Sequence, residues 1–495
     1  MAPHHALRMV DLRSVTPTSL AVLARCCEQR LHAGDRLVTL FGRPELGNGE
    51  GGMVVTAVVQ PPSGELVVLR AQTAAEEHYP AITASHAAAQ IHERELWEQT
   101  GLYPDGHPWL KPVRFEGKRQ QQMADYPFFK VRGQEVHEVG VGPIHASVIE
   151  PGHFRFMCLG EKVHHLEIQL GYQHRGVEAL LLRQPPLALT PHVELICGDS
   201  SVAYAAGYCA AIEALTDSSV PFETELLRGV ALEMERVAVH LATLNGLATD
   251  LAFLQGGGTY GRLRTAIINA SQRVCGNRFG RGWLRPGRAK GVDAGQRQNL
   301  MQTLTAFAKD FTEVNGLMLA SRSVKARFKG TGTVDTKSAR ELGLVGLVAR
   351  ASGVSTDTRT RLPGRLYSSL PIDLLTEAEG DCWARMKLRM REVDASVKWL
   401  VSVLGNTQLD LSPRSTPIHT VMRAEALCVS LIEGTRGPVV QVLETSPEGR
   451  LLHYKIQDPS LPNWFGLAMA VRENDISDFP ICNKSFDLSY CGNDL

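Results

Sequence analysis

The chain has 495 residues, 44% of them hydrophobic, enough for a sizeable buried core and for two to four domains. Its 52 basic residues match its 52 acidic ones, so no net field draws it to nucleic acid, and no nucleic-acid partner is expected. No apolar run reaches the roughly 18 residues of a spanning helix. The start, Met1 to Arg13, lacks the apolar core and small-residue cleavage site of an export signal, so a soluble, unexported chain is expected. Of the ten cysteines only Cys26 and Cys27 are close together, and no C-x-x-C occurs. That pattern excludes zinc ribbons, ferredoxin-type clusters and thioredoxin-type motifs, and fits reduced cytosolic thiols. A redox role would have to borrow its metals from a partner.

Short apolar runs (Leu37 to Phe41, Met53 to Val59, Leu66 to Leu69) separated by Gly, Pro and Ser clusters predict strands and hairpins between Arg36 and Gln72. A helical stretch, Ala81 to Thr100, follows. Together they predict a small α/β domain over residues 1–120, joined by a polar linker, 121–140, to a larger domain, 141–495. The larger domain is expected to be mainly helical. Its clearest helix runs from Pro221 to Asn245, with Ser218 or Ser219 as cap, Pro221 in the first turn and Gly246 as the stop. Leu227, Val230, Met234, Val237, Leu241 and Leu244 step by three and four along its core face. Further helices are predicted over Ser201 to Leu215, Gln296 to Ser321, Thr336 to Val348 and Asp381 to Val403. A β-type region spans Ile418 to Ile456. The fold class is therefore α+β.

Three local features carry chemistry. Gly142-Pro-Ile-His-Ala-Ser-Val-Ile-Glu-Pro-Gly-His-Phe-Arg155 is rich in turn formers and presents His145, Glu150 and His153. From the residues alone the favoured reading has both histidines satisfying backbone carbonyls within the turns. Leu195-Ile-Cys-Gly-Asp-Ser200 places a thiol at a predicted helix start, where the helix dipole could favour a thiolate, although a small buried cysteine is an equal reading. The last ten residues, Phe486-Asp-Leu-Ser-Tyr-Cys-Gly-Asn-Asp-Leu495, hold too many specific polar types for a frayed tail.

In this order, these features resemble the large subunit of the group 4 membrane-bound [NiFe]-hydrogenases (hydrogenase-3 and hydrogenase-4 type) and the quinone-site subunit of complex I. The small first domain, with His92-Glu-Arg-Glu-Leu-Trp97 and Gly106-His-Pro108, resembles the complex I subunit fused ahead of it in that family. Leu170-Gly-Tyr-Gln-His-Arg-Gly-Val-Glu178, Glu235-Arg with His240, Gly276-Asn-Arg-Phe279, Arg350-Ala-Ser-Gly353, Gly380-Asp-Cys-Trp-Ala-Arg385 and Glu433-Gly-Thr-Arg-Gly437 follow the same pattern. The resemblance implies nickel held by four thiolates, from R-x-C-G-x-C and D-P-C-x-x-C. Here these positions read Cys197 and Ser200, then Ser489 and Gly492, with Cys491 one residue early. Serine is a harder, far less acidic ligand than cysteine and glycine has no side chain, so an active nickel-iron centre is disfavoured and no metal ligand is assigned. The chain stops at Leu495, without the extension that nickel-loaded members commonly carry.

The quinone-site pattern also departs: the position four after His145 is Ile149, and the quinone-contacting tyrosine falls near Gly198. The resemblance thus implies an oxidoreductase subunit whose cavity is walled by catalytic candidates His145, Glu150, Cys197 and Asp199 and binding candidates Arg436, Asp487 and Cys491. It would take electrons from a small iron-sulfur subunit and couple them to proton movement, with a quinone as candidate acceptor. Membrane-embedded antiporter-like subunits are the expected neighbours, on the cytoplasmic face of the cell membrane. A non-catalytic scaffold is the alternative. Arg155, Arg175 and Arg278 are candidates for the iron-sulfur interface, Glu235, Arg236 and His240 for structural ion pairs, and the other eight cysteines for small buried hydrophobes.

Overall fold

The computed structural model describes residues 6–45, 51–117, 122–131, 133, 135–146 and 148–495. Residues 1–5 of the start, 118–121 at the opening of the polar connection, and Ser147 in the Gly/Pro-rich motif lie outside the described residues.

The helix Leu20–His32 and the antiparallel strands Arg36–Pro44, Gly52–Gln60 and Val67–Ala74 build the N-terminal unit. These strands are apolar nearly throughout because both faces are covered. Leu37, Leu40, Val55 and Val59 share a core with Leu20, Leu23 and Cys27 of the helix, whereas Val38, Phe41 and Val58 share one with Leu427, Val429, Val440 and Val442 from the far end of the chain. Leu37 and Leu40 face the same way despite their odd spacing because the register shifts between Leu37 and Thr39. The stretch predicted as one helix is helical only over Gln90–Thr100. Two 3-10 turns precede it, and the Glu93 carboxylate accepts the N–H groups of Ile82 and Thr83 (both 2.9 Å), folding that segment back onto the helix.

The expected boundaries do not separate the structure cleanly. Leu7–Asp11 pairs with Ala426–Glu433, heading a four-stranded antiparallel sheet continued by Pro438–Thr445 and Leu451–Gln457. Within the expected linker, Val136–Val141 is a strand that pairs with His153–Leu159, which in turn pairs with Lys162–Gln169. Buried charges tie the two halves further: Glu444 meets Arg43 (2.5 Å) and Arg70 (2.8 Å), and Lys455 meets Glu95 (2.8 Å).

The helices Ser201–Leu215, Phe222–Asp250, Leu254–Cys275, Ala294–Ala320 and Cys382–Gly405 form the large helical body. Asp381 and Asp293 cap two of them, the latter in a reciprocal capping box with Gln296. Phe222–Asp250 has no side-chain cap, and it does not stop at Gly246. That glycine lets the aliphatic stem of Lys484 lie directly on the helix, where a Cβ would overlap it. The predicted Thr336 to Val348 helix is two, Thr336–Glu341 and Gly346–Ala351, broken around Gly343 in the left-handed region.

Candidate functional site

Three segments distant in sequence converge: the turn Leu195 to Ser200 before the helix Ser201–Leu215, the turn Glu433 to Gly437 between two sheet strands, and the last nine residues. The sheet turn is held by the Gly434 N–H donating to Gly437 O (2.8 Å) and by its packing on Gly346. Gly346 has φ +62°, and a Cβ there would run into Arg436 O, so this close backbone approach requires glycine. The final segment is buried, not frayed: Arg175 N donates to Leu495 O (2.8 Å), and the Asp494 carboxylate accepts from Gly171 N and Gln173 N (both 2.9 Å).

Arg436 is the centre of the site. Its guanidinium forks onto both oxygens of Asp199 (2.8 Å each), and it also bonds Asp487 O and reaches the Asp487 carboxylate at 3.4 Å. Thr243 (2.6 Å) and Lys484 (2.8 Å) complete the Asp487 carboxylate. Burial alone would raise both acids. The Arg436 guanidinium beside Asp199, and Lys484 with Arg436 beside Asp487, outweigh it and hold both below the usual carboxylate range.

Beside this ion pair lie the two thiols. Cys197 is 1% exposed, with Sγ 3.3 Å from Asp199 Oδ1 and 3.2 Å from Ser489 Oγ. The same Ser489 hydroxyl is 3.6 Å from Cys491 Sγ, so it links the two sulfurs. The neighbouring Cys491 thiol, followed by burial, pushes the Cys197 thiol well above its ordinary value, whereas the neighbouring Cys197 lowers Cys491. The dipole expectation for Cys197 is therefore corrected: it is held as the thiol. The free N–H groups at that helix start serve Glu235 instead, which accepts from Val202 N (2.7 Å) and Ala203 N (3.1 Å). Burial raises Glu235 to about 8 even so. A cleft lined by Glu235, Arg264, Arg278 and Phe279 opens from Asp199.

Of the other sequence candidates, Glu150 belongs to the cluster's exposed edge: its Oε2 accepts from Cys491 N (2.9 Å) and Gln173 (3.3 Å). His145 does not join it. Its Nε2 bonds Gly152 O (2.7 Å), and His153 Nδ1 bonds Gly142 O (3.0 Å), so both histidines brace their own turn. Arg175 is no free interface arginine: it donates to Leu195 O, Ile196 O and Cys491 O (2.8–3.0 Å), clasping the two thiol-bearing segments together. Arg236 is buried in an ion pair with Glu233 (3.2 Å), and His240, which burial lowers to about 4, is buried in a hydrogen bond with Glu392 (2.9 Å). Two cysteines read as bystanders meet as well. Cys382 and Cys482 both pack against Gly332, and Cys382 Sγ bonds Ser485 Oγ and Arg385 (3.4 Å each); burial pushes the Cys382 thiol up, but Cys482, Arg385 and Ser485 outweigh it and bring it to about 6. Arg385, one helical turn after Cys382, was the sequence signal for it.

Neither group suggested by resemblance fits these side chains. Ser200 Oγ is turned to Arg436 (3.4 Å), Ser489 Oγ is shared between the two thiols and Gly492 N, and a Cβ at Gly492 would overlap the Asp458 carboxylate. Two thiols remain where a nickel-iron centre needs four. For a quinone headgroup, Ile149 is an exposed apolar side chain, Gly198 offers none, and the nearby Tyr204 hydroxyl is spent on Asp458 (2.6 Å).

The respiratory-chain NADH dehydrogenase 30 Kd subunit family matches residues 14–129 and the 49 Kd subunit family matches residues 259–494, so the chain carries both complex I domains in one polypeptide and is a relative of the complex I and membrane-bound hydrogenase large subunits. It is 27% identical to formate hydrogenlyase subunit 5 of Escherichia coli (strain K12), over 92% of this chain and 84% of that protein. It is 26% identical to hydrogenase-4 component G of the same organism, over 92% and 83%. The solved membrane-bound sulfane sulfur reductase, an archaeal respiratory membrane complex, contains a chain that superposes with a TM-score of 0.69 at 21% identity, covering 73% of this chain and 99% of its own; this likeness is one of fold. No helix among the described residues is long and apolar enough to cross a membrane.

Proposed function

We propose that the chain is the electron-accepting, proton-handling large subunit of a complex I-like oxidoreductase whose former metal site now works through side chains alone. The class supports an oxidoreductase subunit acting within a multi-subunit, redox-coupled respiratory complex. The observation that carries the finer reading is the Arg436 pair with Asp199. The ionised Asp199 sits 3.3 Å from the Cys197 thiol, so a proton acceptor is in place beside a redox-capable sulfur. Asp199 and Glu150 would carry protons between this buried sulfur and the exposed edge; His145, committed to Gly152 O, serves the turn instead. Electrons would come from a small iron-sulfur subunit. The exposed Ile144 (89%), Val148 (82%) and Leu195 (50%) near the site suit burial by such a partner. Membrane-embedded antiporter-like subunits would hold the assembly peripherally on the inner face of the membrane. No step runs through nickel or a quinone headgroup at this cluster.

The test is purification of the tagged chain from gently solubilised membranes. An iron-sulfur subunit and integral membrane subunits should copurify, with iron present and nickel far below one equivalent. A chain that purifies alone, or with stoichiometric nickel, overturns the reading. A scaffold role predicts instead that Asp199→Asn leaves the turnover of the intact complex unchanged.

A further inference from the structure

The two thiols meet in an arrangement that neither surviving nickel ligation nor simple packing requires. Cys197 is buried, whereas Cys491 is partly exposed in the short final helix Tyr490–Asp494. Ser489 Oγ lies 3.2 Å from the Cys197 sulfur and 3.6 Å from that of Cys491, so one hydroxyl touches both. Arg175 Nη2 spans the two segments, donating to Ile196 O (2.8 Å) and Cys491 O (2.9 Å), and so holds the two backbones together. A partly exposed sulfur linked through one hydroxyl to a buried second thiol, which has a carboxylate at 3.3 Å, is the division of labour of an attacking and a resolving cysteine.

We infer that Cys197 and Cys491 form a reversible dithiol/disulfide couple, a two-electron store occupying the place of the missing metal centre. On oxidation the two S–H bonds break and one Sγ–Sγ bond forms. Two electrons leave, one at a time to a one-electron carrier, or as a pair to a disulfide oxidant that is itself reduced to two thiols. Two protons leave, that of Cys197 to Asp199 and that of Cys491 to solvent at the open edge. Reduction reverses each step. In exchange with an outside disulfide, Cys491 attacks, forms a mixed disulfide and releases one thiol; Cys197 then displaces the second. The identity of the one-electron carrier rests on the iron-sulfur partner proposed above; the couple itself does not.

The full chain is equilibrated over a series of reduced-to-oxidised dithiothreitol ratios, quenched in acid, alkylated and digested for mass spectrometry. The expected result is a Cys197–Cys491 linked peptide that rises and falls reversibly with the ratio. It should vanish in Cys491→Ser and persist in Cys382→Ser. With oxidised glutathione, Cys197→Ser should trap glutathione on Cys491. No linked peptide at any ratio, or one unaffected by Cys491→Ser, overturns the couple and leaves the complex reading standing. In the purified complex, reduced methyl viologen should open the linked peptide only when the iron-sulfur subunit is attached. A couple that forms with dithiothreitol but is not opened this way retains the dithiol and removes the proposed electron route.

Discussion

The carboxylate of Asp458 fills the space in front of Gly492 Cα, held there by Tyr204 Oη (2.6 Å) and Ser460 N (2.7 Å). A side chain at 492 cannot be added without displacing it. Gly492→Cys is therefore expected to destabilise the chain by about 1–3 kcal/mol, the usual cost of overpacking. Even the triple change Ser200→Cys, Ser489→Cys and Gly492→Cys should bind no stoichiometric nickel until Asp458 is also shortened. Thermal unfolding and metal analysis of the purified variants check both parts.

Removing Arg436 strands two acids. Arg436→Met should cost roughly 2–4 kcal/mol at neutral pH. This is below the full cost of breaking a buried pair because the Asp199 side chain is 38% exposed. Both carboxyls are held below their ordinary value near about 4, so their stabilisation is complete above that value and is lost as pH falls through the folded one. The gap between variant and parent should narrow in acid. Denaturant midpoints followed from pH 7 down to about pH 2 measure it, and a gap constant over that whole range would refute the assignment.

Glu235 works in the opposite sense. Its folded value of about 8 lies above its ordinary 4.5, so the folded chain keeps a proton that the unfolded chain has lost. That stabilisation is full below 4.5 and fades as pH rises toward 8. Glu235→Gln should flatten the fall in stability across this window by about 1–3 kcal/mol. Chemical denaturation at half-unit pH steps decides it.

Gly346→Ala attacks the site through its support. The added methyl meets Arg436 O in a backbone with φ +62°, so a loss of about 1–3 kcal/mol is expected together with displacement of the guanidinium from Asp199. Thiol-linking in this variant should weaken, whereas Gly364→Ala, with φ +56° but open space around it, should show only the backbone cost.

The fold was legible where local signals agreed. Ser201–Leu215 and Cys382–Gly405 follow from apolar content and, for the second, the Asp381 cap. It was obscured where a residue served a distant neighbour: Gly246 looks like a helix stop but is a seat for Lys484, and Glu93 bends a helix-like stretch by taking the N–H groups of Ile82 and Thr83. Within the site, Cys197, Asp199, Arg436, Asp487, Cys491 and Glu150 were each readable as candidates, and the structure brings them together. His145 stands apart from them, in the carbonyl-bracing role that its turn-rich segment also suggested, with Gly152 O holding its ring. The Glu235 bond to the helix start and the Cys382 and Cys482 contact depend on tertiary packing alone.

The strand Leu7–Asp11 belongs to the sheet of residues more than 400 positions away. Because both ends of this pairing lie on one polypeptide, the strand meets its slot at an effective concentration in the millimolar range rather than by chance encounter. Cleaving the chain in the polar connection would convert that closure into a bimolecular association, sensitive to dilution. Splitting it into two separately made halves would leave Leu427, Val429 and Leu431 open to water until they find each other. Carrying both domains in one polypeptide thus makes assembly of this subunit independent of how much of it the cell contains.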